Sequence, residues 1–298
     1  MNSLYNDGGG DGMKIQKVWA VYYSATGCTA QAVETLAKAL ADTLRVPWQK
    51  DEFTTPDQRN TVRYFAPEEI VVFGMPVYAG RLPNKLLPFV QEGFCGQGAL
   101  AVPIVTFGNR SFDDALKELC ETLQTNGFHT VAAAAIVAQH AFATALAAGR
   151  PNDADLQRIR VFAHALAIDI ERCPKPTRPI SVPGRSPIGP YYTPLGVDGK
   201  PAKFLKAKPI TNQARCLGCG LCAAVCPMGA ISRQDPAVVK GVCIKCQACI
   251  TRCPQRAKYF DDEAFLSHKA QLEQTQAQRK ESCFFPLAKE KGIEEETS

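Results

Sequence analysis

The sequence predicts a doubly wound parallel α/β sheet of five strands, followed by a small, cysteine-rich α+β domain. Two observations carry that expectation. Over residues 14–172 short apolar runs alternate with amphipathic stretches, the pattern of strand–helix–strand units in a parallel sheet. Over residues 210–260 one cysteine spacing then occurs twice, 27 residues apart. Cys216, Cys219, Cys222 and Cys226 precede Pro227, and Cys243, Cys246, Cys249 and Cys253 precede Pro254.

Lys17 to Tyr23 (KVWAVYY) reads as the first strand, and Ser24-Ala25-Thr26-Gly27-Cys28-Thr29 leads from it into a helix. Val33, Leu36, Ala37, Leu40 and Leu44 fall on one face of that helix. Val46 to Phe53 is the second strand. Glu69 to Gly74 is the third, followed by Met75 to Pro83 and a short helix from Asn84. Ala99 to Phe107 is the fourth; Gly108-Asn109-Arg110 is its exit loop and Ser111 to Asn126 the next helix. His129 to Ala138 is the fifth. A last helix begins near Asn152, with acids in its first turn and Leu156, Ile159, Ala163, Leu166 and Ile170 as its apolar stripe.

Ligands of such sheets sit at the carboxyl ends of the strands. The loops after strands one, three and four are also the ones rich in Gly, Ser, Thr and Asn. In the first of them, the hydroxyls of Ser24, Thr26 and Thr29, and amides freed by Gly27 at a helix start, make an anion cradle without a lysine. The Walker pattern G-x-x-x-x-G-K-[ST] and the dinucleotide pattern G-x-G-x-x-G are both absent from it. Hydroxyls and helix amides without a cation suit the monophosphate of FMN. The bland alternative is a Ser/Thr-rich helix cap.

The cysteine spacing reads as iron–sulfur ligation. Three cysteines at equal spacing give three thiolates to one [4Fe–4S] cubane, and the fourth reaches across to the other. Cys226 is thus expected to complete the set of Cys243, Cys246 and Cys249, and Cys253 that of Cys216, Cys219 and Cys222. Zinc sites and disulfide frameworks are the alternatives, but zinc sites usually pair two C-x-x-C hooks.

The chain has 298 residues, 46% of them apolar, enough for two domains. Residues 1–13 read as a polar, disordered leader with no signal-peptide pattern. Thirteen cysteines without such a signal suggest a reducing, cytoplasmic home. Val131 to Ala148, apolar but interrupted by Gln139, His140 and Thr144, reads as a buried strand and loop, so no membrane partner is expected. Residues 173–209 hold nine prolines and read as an extended, semi-rigid linker. In residues 261–298, Asp261 to Arg279 reads as a weakly amphipathic helix, through Phe265, Leu266 and Leu272, and a mixed-charge tail, disordered at its end, closes the chain.

Charge is unevenly spread. Residues 1–172 carry 15 basic and 18 acidic side chains, and residues 210–260 carry 7 and 1. A basic cysteine domain beside an acidic first domain suggests docking by opposite fields; the other reading is that the basic residues offset cluster charge. No aromatic–basic surface pattern points to nucleic acid. His140 and His164 read as packed histidines rather than proton donors. Cys28, Cys95, Cys120, Cys173 and Cys283 lack ligand spacing. Cys28, at a helix N-terminus, has the position of a low-pKa thiol, though chance occupancy of a variable slot is the simpler account.

The [ST]-x-T-G-x-T string resembles the flavodoxin fingerprint, and with the strand pattern the likeness extends over residues 14–172. It implies an FMN site at Ser24, Ala25, Thr26, Gly27, Cys28 and Thr29. It further implies Tyr78 packing on the flavin ring, Ala79 and Gly80 at the reactive edge, and Gly108, Asn109 and Arg110 facing the pyrimidine side. Arg110 would meet the flavin N1–O2 edge or cap a helix; Phe112 would touch the ring or staple its helix. Pro209 to Phe260 resembles a bacterial-type two-cluster ferredoxin. The whole chain resembles the flavodoxin–ferredoxin fusion proteins called EFR-type ferrodoxins. That resemblance implies FMN and two [4Fe–4S] clusters on one polypeptide, relaying electrons to or from a redox partner protein. Two other readings stay open: an FMN-dependent reductase of a small quinone or nitro compound, and a ferredoxin with a flavin-free docking domain.

Overall fold

A computed structural model describes residues 14–172 and 178–286. The expected leader, the start of the linker with Cys173, Pro174 and Pro176, and the last twelve residues, 287–298, lie outside the described residues. The first domain runs β1 (Lys17–Tyr22), α1 (Cys28–Leu44), β2 (Trp48–Glu52), β3 (Arg63–Tyr64), β4 (Glu69–Pro76), α2 (Leu87–Glu92), β5 (Phe94–Cys95), β6 (Leu100–Phe107), α3 (Ala115–Thr125), β7 (His129–Thr130), β8 (Ala133–Val137) and α4 (Asp153–Arg172). The cysteine-rich domain holds β9 (Ile210–Thr211), α5 (Leu221–Ala224), α6 (Ala248–Thr251) and β10 (Lys258–Tyr259). Then come α7 (Glu263–Thr275) and β11 (Cys283–Phe285).

The five main strands are parallel, in the order β2-β1-β4-β6-β8. Taken by rank this is 2-1-3-4-5, the flavodoxin-like doubly wound order. The sheet is larger than the five strands expected. The anticipated fifth strand is broken after Thr130: β7 pairs with the start of β6, and β8 pairs with its end. An antiparallel strand, β11, covers the edge of β8. Within the expected tail, Cys283–Phe285 is therefore a strand, while the tail's end lies outside the described residues. The physical reason for this strand is alternation. Phe284 packs on Phe162 of α4 at 5.0 Å, and Phe285 joins the opposite core face.

One face of the sheet packs on α1 and α4, the other on α3 and on the cysteine-rich domain itself. Cys246 and Ala248 are buried in that second core, with Val225, Met228 and Ile244 packed against it. The domains are thus joined by apolar contact. Among the described residues no basic side chain of 210–260 lies within ion-pair distance of an acid of 14–172, while Asp57 borders one cavity with Arg233 and Lys240. Arg59 reaches across instead, donating to the Pro227 carbonyl. Residues 178–209 run without helix along the first domain, held by the Ile180 amide on the Thr130 carbonyl, Arg185 on Asp114 and the Tyr191 hydroxyl on the Leu82 carbonyl. Val131 to Ala138 is buried, with Ala133–Val137 in the sheet, and no helix among the described residues is long and apolar enough to cross a membrane.

Candidate functional site

The loop from β1 to α1 turns at Gly27, whose φ of 102° is open only to glycine at little cost. Ser24 folds back, its Oγ accepting the Ala30 amide at 3.0 Å. The amides of Ala25, Thr26, Gly27, Cys28 and Thr29 make no hydrogen bond among the described residues, so five N–H groups are free at the start of a 17-residue helix. The Thr29 hydroxyl is buried against that of Thr106 at 2.7 Å, tying the loop to the end of β6. A guanidinium nitrogen of Arg252, from the cysteine-rich domain, lies 3.8 Å from the position a Cβ on Gly27 would take.

This loop borders a cavity of about 240 Å³ at the carboxyl ends of the strands. Ala25, Thr26, Cys28 and Thr29 form one side; Tyr78 and Ala79 come from the loop after β4, Gly108 and Arg110 from the loop after β6. Ser24, Gly27, Gly80 and Asn109, also expected at the site, do not line it. Asn109 has φ 66° and is buried, its amide donating to the carbonyls of Gln276 and Gln278 and its Oδ1 accepting the Lys280 amide. The C-terminal segment occupies that side chain. Arg110 pairs with Asp113 and stacks over Tyr192 at 4.2 Å. Phe112 packs on Phe107 at 5.5 Å and stays out of the cavity.

Sequence reasoning missed several walls. Gln139 and His140 enter from the loop after β8, Tyr192 and Phe204 from the linker, His268 from α7, and Lys245 and Cys246 from the second cysteine run. A Cβ on Gly108 would lie 2.4 Å from the His140 ring, so only glycine lets the loop and the imidazole meet. His140 Nδ1 accepts the amides of Phe142 and Ala143, at 3.4 and 3.1 Å, which places the ring proton on Nε2. Burial brings its pKa down to about 4, with help from His268 and Arg110. His268 takes the other tautomer, Nδ1–H donating to the Leu195 carbonyl at 2.8 Å. His164 sits far from this cavity, exposed beside Thr43. Burial also pushes the Cys28 thiol up, opposite to the low pKa its helix position suggested, with hydrogen bonds opposing the rise.

The eight cysteines of the repeat surround two further voids. One is lined by Cys226, Cys243, Cys246 and Cys249, the other by Cys216, Cys219, Cys222 and Cys253. Each set crosses the two runs. The inner set abuts the sheet, and its Cys246 also lines the first cavity; in the outer set Cys219 is exposed. Backbone amides already point at sulfur. Ala230 donates to Cys226 and Ala257 to Cys253, both at 3.3 Å, and Lys245 to Cys243 at 3.4 Å. Burial pushes the Cys249 thiol up to about 12 and Cys246 higher still. Beside Cys246 the Tyr23 hydroxyl is buried next to that of Tyr78.

The repeat is conformational as well. Gly218 and Gly220 have φ of 66° and 72°; their counterparts 27 residues on, Lys245 and Gln247, have 58° and 66°. The inner copy keeps the left-handed backbone with side chains that glycine lacks. Lys245 Nζ donates to the carbonyls of Leu205 and Cys243, and Gln247 donates to the Lys245 carbonyl at 2.8 Å.

Comparison with protein families matches residues 209–232 to a 4Fe–4S binding domain. No curated protein matches the chain. Among solved structures, a flavodoxin from the domain Archaea is 17% identical, with 52% of this chain and 99% of that one covered and a TM-score of 0.37. Oxidised flavodoxin 2 from Bacillus cereus is 18% identical over 52% and 99%, also at 0.37. Rubredoxin oxygen:oxidoreductase from the anaerobe Desulfovibrio gigas is 16% identical over 54% of this chain but 37% of its own, at 0.35.

Proposed function

We propose that this chain is an electron-transfer protein of the flavodoxin–ferredoxin fusion kind, with the domain plan of the EFR-type ferrodoxins. In this reading it holds FMN in the cavity at the strand ends and a [4Fe–4S] cluster in each of the two cysteine-lined voids. The single observation that carries it is that Cys246, a ligand of the inner set, walls the same cavity as the free-amide loop. Flavin supplies one- or two-electron capacity and each cluster one, which lets the chain match donors and acceptors of different electron number.

The residues present fit these groups. Five free amides and the Thr26 hydroxyl offer a monophosphate its contacts, and Arg252 stands near with no carboxylate within ion-pair distance among the described residues. Tyr78 supplies an aromatic wall, and Ala79, with its left-handed backbone at φ 49°, lines the cavity beside it. His140, neutral and fixed with its proton on Nε2, can donate a hydrogen bond there without adding charge. Four sulfurs around a void, with amides donating to three of the eight, suit a cubane better than one ion; among the described residues no three such side chains converge on a single-ion site.

Anaerobic purification with iron and flavin quantified tests the cofactors, expected at eight iron and one FMN per chain. Stopped-flow absorbance then tests the relay. Chemically reduced clusters are expected to bleach the flavin at a rate independent of protein concentration. Clusters that stay reduced beside an oxidised, reducible flavin would overturn the reading.

A further inference from the structure

We infer that the face around Cys219 is the docking surface for an acidic one-electron carrier protein, and that electrons enter through the outer cysteine set. This rests on the function proposed above and adds the direction and the chemistry of the partner.

The two cysteine sets differ in access. The inner set has Cys246 and Cys249 buried and is packed against the sheet, so a protein cannot approach it from that side. The outer set has Cys219 at the surface. The loop that carries it is bare, since a Cβ on Gly218 or Gly220 would meet nothing within 4 Å. Electron tunnelling falls steeply with distance, and an uncovered loop of two glycines lets a partner's surface come close to the ligand.

The surroundings of Cys219 have the make-up of a transient interface. Leu217 is 73% exposed and Leu221 39%, and both also border the outer void. Two large apolar side chains held in water around a redox ligand form a small apolar centre. Arg215, next to Cys216, and Arg256, between Gln255 and Ala257, which border the outer void, are both exposed. Neither has a carboxylate within ion-pair distance among the described residues, whereas Arg63, Arg81, Arg110 and Arg150 in the first domain are all paired. Arg215 and Arg256 are therefore not engaged by the first domain and are available to an external partner. An apolar centre with a cationic rim selects a carrier whose own exposed centre is ringed by Asp and Glu. Steering by such fields raises the encounter rate without needing a large interface.

The step balances simply. The reduced carrier loses one electron, the centre held by the outer cysteines gains it, and no bond or proton moves.

The test uses the full chain with its cofactors, anaerobically, in stopped flow. An acidic two-cluster ferredoxin reduced by dithionite is one donor, and the small methyl viologen radical cation is the other. With the ferredoxin, the wild-type second-order rate is expected to fall as salt rises. Arg215→Gln with Arg256→Gln should lower it about tenfold at low salt and converge on wild type at high salt. The double Arg→Lys variant should stay near wild type, and Leu217→Ser should slow the reaction at every salt concentration. With methyl viologen the arginine variants should react as wild type does. Equal ferredoxin rates in wild type and the double Gln variant would overturn the inference. So would an equal slowing with both donors, because the damage would then lie in the centre and not in docking. Protein lacking iron or flavin would instead sink the proposed function. Intact cofactors and internal transfer, with no effect of the arginines, would sink the docking face alone.

Discussion

Tyr78 and Cys246 wall one cavity from opposite domains, the tyrosine from the loop after β4 and the cysteine from the second cysteine run. Burial, and then Cys246 itself, keep the Tyr78 phenol protonated. In the proposed reading this tyrosine packs on the flavin ring, so Tyr78→Leu should weaken FMN. Loss of an aromatic contact of about 0.5–1.5 kcal/mol corresponds to roughly a two- to tenfold rise in Kd. Titration of apoprotein by flavin fluorescence measures it; an unchanged Kd would place the ring elsewhere.

The phosphate end is tested separately. Thr26→Ala removes a charge-assisted contact of about 1.5–3 kcal/mol, a roughly 10- to 100-fold loss of FMN affinity. Arg252→Gln should cost only a few-fold at low salt and nothing at high salt, as expected of an exposed charge. Calorimetry at two ionic strengths separates the two effects.

Cys226 belongs to the first run but borders the void of Cys243, Cys246 and Cys249, while Cys253 borders that of Cys216, Cys219 and Cys222. Cys226→Ala should therefore disturb the inner cluster and Cys253→Ala the outer one. Electron paramagnetic resonance of the half-reduced and fully reduced protein distinguishes them. Damage confined to each mutated cysteine's own run would refute the crossed arrangement.

Arg150 and Asp155, each with a side chain 3% exposed, form a buried pair through Nε at 2.8 Å and a second guanidinium contact. Burial opposes ionisation of Asp155, and the hydrogen bonds from Arg150 and the Asn152 amide outweigh it, holding its pKa below the usual carboxylate range. A lowered carboxyl pKa contributes stability above the unfolded value, and that stability is lost as pH falls through the folded one. Arg150 also donates to the Lys280 carbonyl at 2.6 Å. Arg150→Met leaves the carboxylate buried alone and frees the C-terminal segment, a loss of about 3–5 kcal/mol. Urea denaturation at pH 7 measures it, and hydrogen exchange should show β11 opening first.

His140 adds to the same acid sensitivity. Its pKa is about 4 in the fold against 6.5 ordinarily, so between these values the unfolded chain binds more protons. Stability should rise with pH across that window, and the rise should flatten in His140→Gln. A denaturation series from pH 4 to 7 provides the comparison.

How much of this was legible in the chain depends on the range of the interactions. The strand–helix alternation and the helix faces are local, so the doubly wound class could be read from apolar periodicity. β7 and β8 were read as one strand because no turn residue separates them and the apolar break at Val131–Ala132 leaves no polar mark. β11 was missed because three residues carry no periodicity; only the waiting edge of β8 and a core on each face make Cys283–Phe285 a strand. Asn109 looked like a cofactor contact by its place after β6, and α7 with the segment behind it took the side chain instead.

The cysteine sets were legible for a particular reason. A spacing repeated after 27 residues gives two like runs, and in two-cluster ferredoxin ligation the fourth cysteine of each belongs with the other run, as the two voids are lined here. By itself, then, the sequence determined the sheet's class and singled out the loop after β1 and the eight repeated cysteines, all matters of short-range pattern. Which copy of the repeat faces the sheet was decided only in three dimensions. Lys245 and Gln247, in place of two glycines, hold the inner copy by side-chain hydrogen bonds, while Gly218 and Gly220 leave the outer copy bare. That packing sets Cys246 against the cavity and Cys219 against water, because an apolar interface between distant segments has no signature in either segment alone.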